Sequence, residues 1–384
     1  MRTELAYVAK IKTLTQIKGA DRIETATVLG WEVVCKKDDF KVGDLCVYAE
    51  VDSIFPENIP CFEFLKPRKM RIRIVKLRGQ ISQGICFPIS ILKEVNPDFD
   101  LSKIKEGMDC TSLLGLVQHD PETSLDVKRV QIKKSWLDCK LAYLKWKLFG
   151  FKPTTSNDFP PEIPKTDETR VQRMGTLLEE KAGTPVYITE KCDGTSSTFV
   201  FQRTSGNWLS RFLKKDCLFR VCSRNRVVWS SEDKGYPDHH IAYVAKKYDI
   251  FNKMKKLGRN FAIQAECLGQ SKNGSNKVQG NLYNLTDYEI RVFSMYDIDQ
   301  KRYFQQQELW ALSKELDLPM VPLLECGVPL VNDIKYYVEL SKMKSTLNKN
   351  VWCEGKVIRA LDSSFSFKSI NPEFLLHNEL KEKG

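Results

Sequence analysis

Between Val186 and Cys192 the chain reads as a β-strand that runs into Asp193 and Gly194. A strand's period of two puts Lys191 and Asp193 on one face and turns Glu190 and Cys192 to the other. An amine and a carboxylate then look into one pocket. Gly194 permits a sharp turn with close backbone approach to a ligand, and Ser196 and Ser197 follow with hydroxyls for polar contacts. A lysine attacks phosphorus only as the neutral amine, and a free pKa of roughly 10.4 leaves little of that form near neutrality. A neighbouring carboxylate favours the ammonium and makes this worse. The pair suits catalysis if a divalent cation offsets the carboxylate; alone, it reads equally well as a surface ion pair before a turn.

Further segments change that weighting. The tetrad Lys191 to Gly194 resembles the nucleotidyltransferase motif of ATP-dependent DNA ligases, RNA ligases and mRNA capping enzymes, whose lysine becomes covalently linked to a nucleoside monophosphate. The other motifs of that superfamily follow in its order. "CSRN" (Cys222 to Asn225) resembles the segment whose arginine, here Arg224, works near the phosphates. "QAECLG" (Gln264 to Gly269) resembles the strand whose acid, here Glu266, meets the ribose or metal waters. "FSMYDI" (Phe293 to Ile298) offers Phe293 or Tyr296 as the ring on the purine, and the sequence does not choose between them. "CEGKVIR" places Glu354 at a metal-directing glutamate, and "FSFKSI" places Lys368 at a phosphate-contacting lysine. Singly these fragments read as a turn, a strand-edge charge, a core pair and a hairpin; six in family order carry the resemblance.

The elements around these residues predict an α+β chain. From Leu5 to about Gly115, short β-rich runs broken by turns such as Gly43-Asp44 predict a small antiparallel barrel. Residues 117–165 read as a connector rich in Pro, Asp, Ser and Thr around an amphipathic segment, Trp136 to Phe151. Strands then alternate with a helix over 238–258, with Ile241, Val244, Ala245, Tyr248 and Phe251 on one face. The expected architecture is an N-terminal OB-like β-barrel (1–116), the connector (117–165) and an adenylyltransferase, ATP-grasp-like ligase domain of antiparallel sheets and helices (166–384).

A barrel ahead of the nucleotidyltransferase domain, with "KTDETRVQ" (Lys165 to Gln172) leading into it, looks like a family of nick-sealing RNA ligases. The resemblance implies Lys191 as nucleophile toward ATP. It implies Asp193, Glu266 and Glu354 as organisers of Mg²⁺ or Mn²⁺, and Lys368, Arg224 and Arg170 as phosphate holders. Glu190 and Gly194 are implied beside the nucleotide. The implied substrate is RNA with 5′-phosphate and 3′-hydroxyl ends at a duplex nick. One departure stands out: Ser366 occupies the first of two lysine positions in the last motif, so Arg170, Arg173 or Arg224 would have to compensate.

Composition sets outer bounds. Sixty Lys+Arg against 49 Asp+Glu give +11, a balance suited to polyanions. Seven of the thirteen residues from Lys66 to Arg78 are basic, and Lys69, Arg71 and Arg73 are expected on one strand face for a phosphate backbone. Removing Met1 to Gly115 is then expected to leave self-adenylylation intact and to weaken sealing. Twelve scattered cysteines without a CxxC pair argue against structural zinc, and four histidines make a histidine base a poor candidate. No signal peptide or membrane span is read, so an intracellular monomer without a membrane partner is expected. A catalytically dead, RNA-binding scaffold and a DNA ligase or capping-type enzyme are the competing readings.

Overall fold

The computed structural model describes residues 4–119, 158–203, 217–233 and 235–381. The amphipathic segment Trp136 to Phe151 lies outside them. Among the described residues no helix is long and apolar enough to cross a membrane.

The N-terminal sheet has the order β3-β2-β1-β4-β5, from β1 (Ala6–Gln16), β2 (Ile23–Val28), β3 (Trp31–Lys36), β4 (Leu45–Ala49) and β5 (Ile85–Pro88). All its pairings are antiparallel. β1 gives its first half to β4 and its second half to β2, with an irregularity between Ile11 and Thr13. Such a break bends a strand, and it curls this sheet into an OB-like half-barrel. Both faces are buried, Tyr7, Trp31 and Tyr48 on one side and Val8, Val47 and Phe87 on the other.

The basic run departs from the expected strand. Lys69 and Met70 take positive φ after a 3₁₀ helix, Pro60–Arg68; Arg71 forms an isolated β-bridge to Ile54, and only Val75–Leu77 is a strand, in a short hairpin with Gln80–Ser82. Alternation survives beyond the turn: Ile72 and Ile74 are buried, Arg71 and Arg73 half-buried. Lys69 leaves that face, and Arg71 is ion-paired to Asp52 at 2.7 Å.

The remainder is built on two sheets. The first, in the order β6-β16-β15-β7-β14, uses β6 (Thr169–Arg170), β7 (Pro185–Lys191), β14 (Leu323–Pro329), β15 (Gly355–Ala360) and β16 (Ser366–Ile370). The second has the order β10-β9-β8-β11-β12-β13. It uses β8 (Thr195–Arg203), β9 (Cys217–Ser223), β10 (Val227–Ser230), β11 (Phe261–Leu268), β12 (Glu289–Asp297) and β13 (Arg302–Tyr303). Its outer face packs on α1 (His240–Lys247), α2 (Ile250–Leu257) and α3 (Gln306–Glu315) around Phe199, Phe219, Ile241, Ile263 and Leu309. The single helix expected over 238–258 is two, because Asp249 adopts φ 50° between them.

The chain passes from the first sheet to the second at Cys192-Asp193-Gly194. Two glycines make this corner possible. A Cβ on Gly194 would lie 2.4 Å from the Cys267 carbonyl oxygen, so β11 approaches this backbone closely. A Cβ on Gly355, the register partner of Lys191, would lie 2.2 Å from the Ser369 carbonyl oxygen and 3.0 Å from the Ile370 Cα. Backbone atoms cannot swing aside, so Gly355→Ala should destabilise the protein by about 2 kcal/mol or more. Gly175→Ala, with nothing near the added carbon, should be neutral. Denaturant melts of both variants check this; equal stabilities would remove the steric argument.

Candidate active site

Lys191 ends β7 at the corner, and its Nζ donates to both carboxylate oxygens of Glu354, at 2.7 and 2.6 Å. Glu354 stands just before β15, whose pairing with β7 sets Gly355 opposite Lys191. Glu266 comes from the other sheet, opposite Ser196 in the β8–β11 register. Burial alone would lower the Lys191 pKa, but the charges of Glu354, Glu266 and Asp193 outweigh it and hold the ammonium above its ordinary range. Burial pushes the Glu266 carboxyl up to about 8, with Glu354, Asp193 and Glu168 adding to it against Lys191. The site therefore holds its lysine protonated and is short of positive charge.

That imbalance bears on the metal. Among the described residues no group of three His, Cys, Asp or Glu closes into a ligand set. Asp193, Glu266 and Glu354 instead act electrostatically on one ammonium. A carboxyl that burial drives to about 8, with neighbouring carboxylates adding to it, is the chemistry a divalent cation relieves, so these acids fit a cation but do not form a preassembled cage.

The structure sorts the remaining candidates. Phe293 lines the cleft between the sheets with Tyr187, Gln264, Tyr303 and Arg359, and the Arg359 guanidinium lies 5.7 Å from its ring centroid. Tyr296 is buried with Ile163, Val200 and Ala262. A register shift between Gln264 and Ala265 leaves Phe293 without a partner in β11 and breaks the period of two between the rings. Glu190 is buried facing away, as the period of two requires, and its carboxylate accepts from the Ser345 hydroxyl and the Thr346 N–H. The carboxylate is thus engaged by that loop.

At the other end, Lys368 lies 3.5 Å from Asp167, which also contacts Arg224. Arg170 is the parallel register partner of Lys368, but its guanidinium lies over the Trp31 ring of the N-terminal domain at 5.3 Å. Arg173 bonds Glu4 and covers the Tyr7 ring, so it is not the substitute for the lysine missing at Ser366. Ser366 is register partner to Arg359, which is bound to Glu168 at 2.7 Å. Two residues went unread in the sequence. Tyr283, whose hydroxyl accepts the Asp193 N–H at 2.7 Å, sits in a loop without motif character. Asp167 lies inside the lead-in segment but was given no role of its own.

Fold and corner together are those of a nucleotidyltransferase of the ligase class. The RNA ligase family model matches residues 184–370, and an OB-fold domain model matches residues 5–89. No curated protein matches the sequence. Solved forms of Naegleria gruberi RNA ligase are similar over nearly the whole chain. A lysine mutant with ATP and Mn and a glutamate mutant with AMP and Mn each superpose with TM-score 0.76 at 28% identity, covering 98% of this chain and 99% of theirs. An aspartate mutant without ligand gives 0.77 at the same identity, over 98% of both chains. The arginine, lysine and aspartate replaced in mutants of that ligase stand at the separations of Arg170, Lys191 and Asp193. Its replaced glutamate and second lysine stand at the separation of Glu354 and Lys368. The chain belongs to the RNA ligase family and is an ATP-dependent RNA ligase.

The Glu266 shift has a sign that can be measured. A carboxyl whose folded pKa exceeds its unfolded value binds its proton more tightly when folded, so its stabilisation is full below about 4.5 and lost as pH rises through about 8. Without divalent cation, the protein should lose stability between about pH 4.5 and 8. Glu266→Gln should escape that fall and melt higher at pH 9, by about 2 kcal/mol or on the order of 5 °C. Parallel pH profiles for the two proteins would contradict the assignment.

Proposed function

We propose that the chain seals RNA nicks, joining a 3′-hydroxyl to a 5′-phosphate through a covalent lysyl-AMP intermediate. The observation that carries this is the Lys191–Glu354 clamp at the inter-sheet corner, together with a cleft lined by Phe293 and by Asp167, which contacts both Lys368 and Arg224. The matching separations in the Naegleria enzyme, studied with ATP, AMP and Mn, support it.

Lys191 attacks the α-phosphorus of ATP; an N–P bond forms and the P–O bond to pyrophosphate breaks. The AMP then passes to the RNA 5′-phosphate, and the 3′-hydroxyl displaces AMP to leave a phosphodiester. Each step needs alignment and charge neutralisation more than covalent assistance. Phe293 stacks on the adenine, and Lys368 with Arg224 holds phosphate oxygens once Asp167 releases them. Asp193, Glu266 and Glu354 would hold Mg²⁺ or Mn²⁺. When bound, the cation offsets their charge and lowers the lysine's proton affinity. Lys191 then delivers its lone pair while Glu354 keeps the side chain aimed. We assign RNA binding to residues 1–116, catalysis to 166–384 and a connecting role to 117–165, in an intracellular monomer.

Incubating the protein with α-labelled ATP and Mg²⁺ or Mn²⁺ should leave label on denatured protein, and Lys191→Ala should abolish it. No label from folded, AMP-free protein would sink the ligase reading in favour of a scaffold, and label from GTP alone would point to a capping-type enzyme. Phe293→Ala should raise KM for ATP roughly 10- to 100-fold, the range for loss of one stacked base. Tyr296→Phe should leave KM unchanged, and a reversed pattern would exchange the two roles.

A further inference from the structure

The corner that carries Asp193 is held by a strap from elsewhere in the chain. The Asp193 N–H falls between β7, which ends at Lys191, and β8, which begins at Thr195, so neither ladder supplies it with an acceptor. The Tyr283 hydroxyl does, at 2.7 Å. Tyr283 is buried with Cys192, Leu268 and Val321. Burial, with the charges of Cys192, Asp193 and Glu354 adding to it, holds the phenol above its ordinary range, so it meets the N–H as a neutral group. The segment that delivers this ring is strained. Gln279, Asn281 and Asn284 take positive φ of 44°, 52° and 55°. Residues with a Cβ hold such backbone only where their surroundings dictate it, and such strain gathers at functional sites. Asn281 fixes the segment locally, since its side chain donates to the Leu285 carbonyl at 2.9 Å and accepts the Leu285 N–H at 3.1 Å. Asn348 fixes it from outside, with Nδ2 donating to the Leu282 carbonyl at 2.9 Å. Asn348 lies between Thr346, which binds Glu190, and Glu354. The strap thus ties the backbone of Asp193 to the segment that carries Glu354.

Partners that orient the acids around a cation govern its affinity, and removing one costs roughly 10- to 100-fold. We infer that Tyr283 is a positioning residue: by accepting the Asp193 N–H, it sets the turn from which Asp193 acts beside Glu266 and Glu354 on the cation these acids fit. The inference rests on the ligase reading. The Asp193 carboxylate already acts on the Lys191 ammonium together with those two acids, and a corner free to relax would let it leave them. Tyr283 works through Asp193 and not on the reacting atoms.

The test uses the full chain with Tyr283→Phe, which keeps the ring and removes the acceptor. Mn²⁺ binding is measured without turnover, by titrating Lys191→Met in the presence of AMP and reading free Mn²⁺ from its spin-resonance signal. Adding Tyr283→Phe should weaken that binding roughly tenfold. In the chain that retains Lys191, the Mn²⁺ concentration giving half-maximal labelling by α-labelled ATP should rise by a similar factor, while KM for ATP stays within about twofold. Asp193→Asn combined with Tyr283→Phe should bind Mn²⁺ no more weakly than Asp193→Asn alone. Unchanged Mn²⁺ affinity in folded Tyr283→Phe, no Mn²⁺ binding by Lys191→Met, a rise confined to KM for ATP, or multiplicative losses in the double variant would each overturn the inference. Should Tyr283→Phe fail to fold, Asn348→Ala decides. It frees the Leu282 carbonyl and leaves the phenol in place, so Mn²⁺ affinity reduced about threefold or more supports the strap and any smaller change refutes it. Wild-type protein that takes no label would refute the ligase reading itself, whereas label with an unmoved Mn²⁺ response refutes only the role of Tyr283.

Discussion

A protonated lysine clamped by a carboxylate is the interaction around which this molecule is arranged. Lys191 and Glu354 come from adjacent strands of one sheet, and Glu266 faces them from the other. Bringing such groups out of water carries a desolvation cost that Coulomb attraction repays only when geometry is tight. The tight geometry comes from backbone: without Gly355 beside Lys191 and Gly194 beneath β11, the strands could not approach closely enough. One ammonium among Asp193, Glu266 and Glu354 still leaves a deficit of positive charge, which adds to the upward shift that burial imposes on Glu266. Stability and chemistry pull in opposite directions here, since the carboxylates that unsettle the apo site are the ones that suit it to a cation-bearing nucleotide.

The second constraint is how the two halves are joined. The backbone of Thr169 and Arg170 extends the catalytic sheet, while the side chains of Arg170 and Arg173 reach into the N-terminal domain's aromatic stack. One short segment thus belongs to both cores. Rotating one domain against the other must disturb the strand next to Lys368, so domain placement and the phosphate end of the site are mechanically linked.

Much of the architecture was legible in the sequence, because strand alternation and turn residues are local signals. The period of two put Lys191 and Glu190 on opposite faces, and the structure agrees. What escaped was decided by contacts far apart in the chain. The bulge that leaves Phe293 unpaired breaks the strand's period of two between Phe293 and Tyr296, and no local pattern announces it. Tyr283 meets Asp193 across ninety positions, and Glu190 is spent on a loop 155 residues away. Asp249 split an apparently continuous helix by taking a left-handed backbone conformation, a choice that amphipathic periodicity does not encode.

The ligand-free cleft neutralises its own cations. Glu354 occupies Lys191, Asp167 sits between Lys368 and Arg224, and Glu168 holds Arg359. Each acid stands where an oxygen of a triphosphate or of an RNA end could stand, so binding exchanges one anion for another and leaves no bare charge in a dry site. Under that arrangement the lysine missing at Ser366 is less of a deficit than it looks. Its register partner Arg359 already brings a permanent cation to that part of the cleft, and a second lysine there would need another acid to balance it. Charge exchange, more than the count of basic residues, sets how firmly this site can hold phosphate.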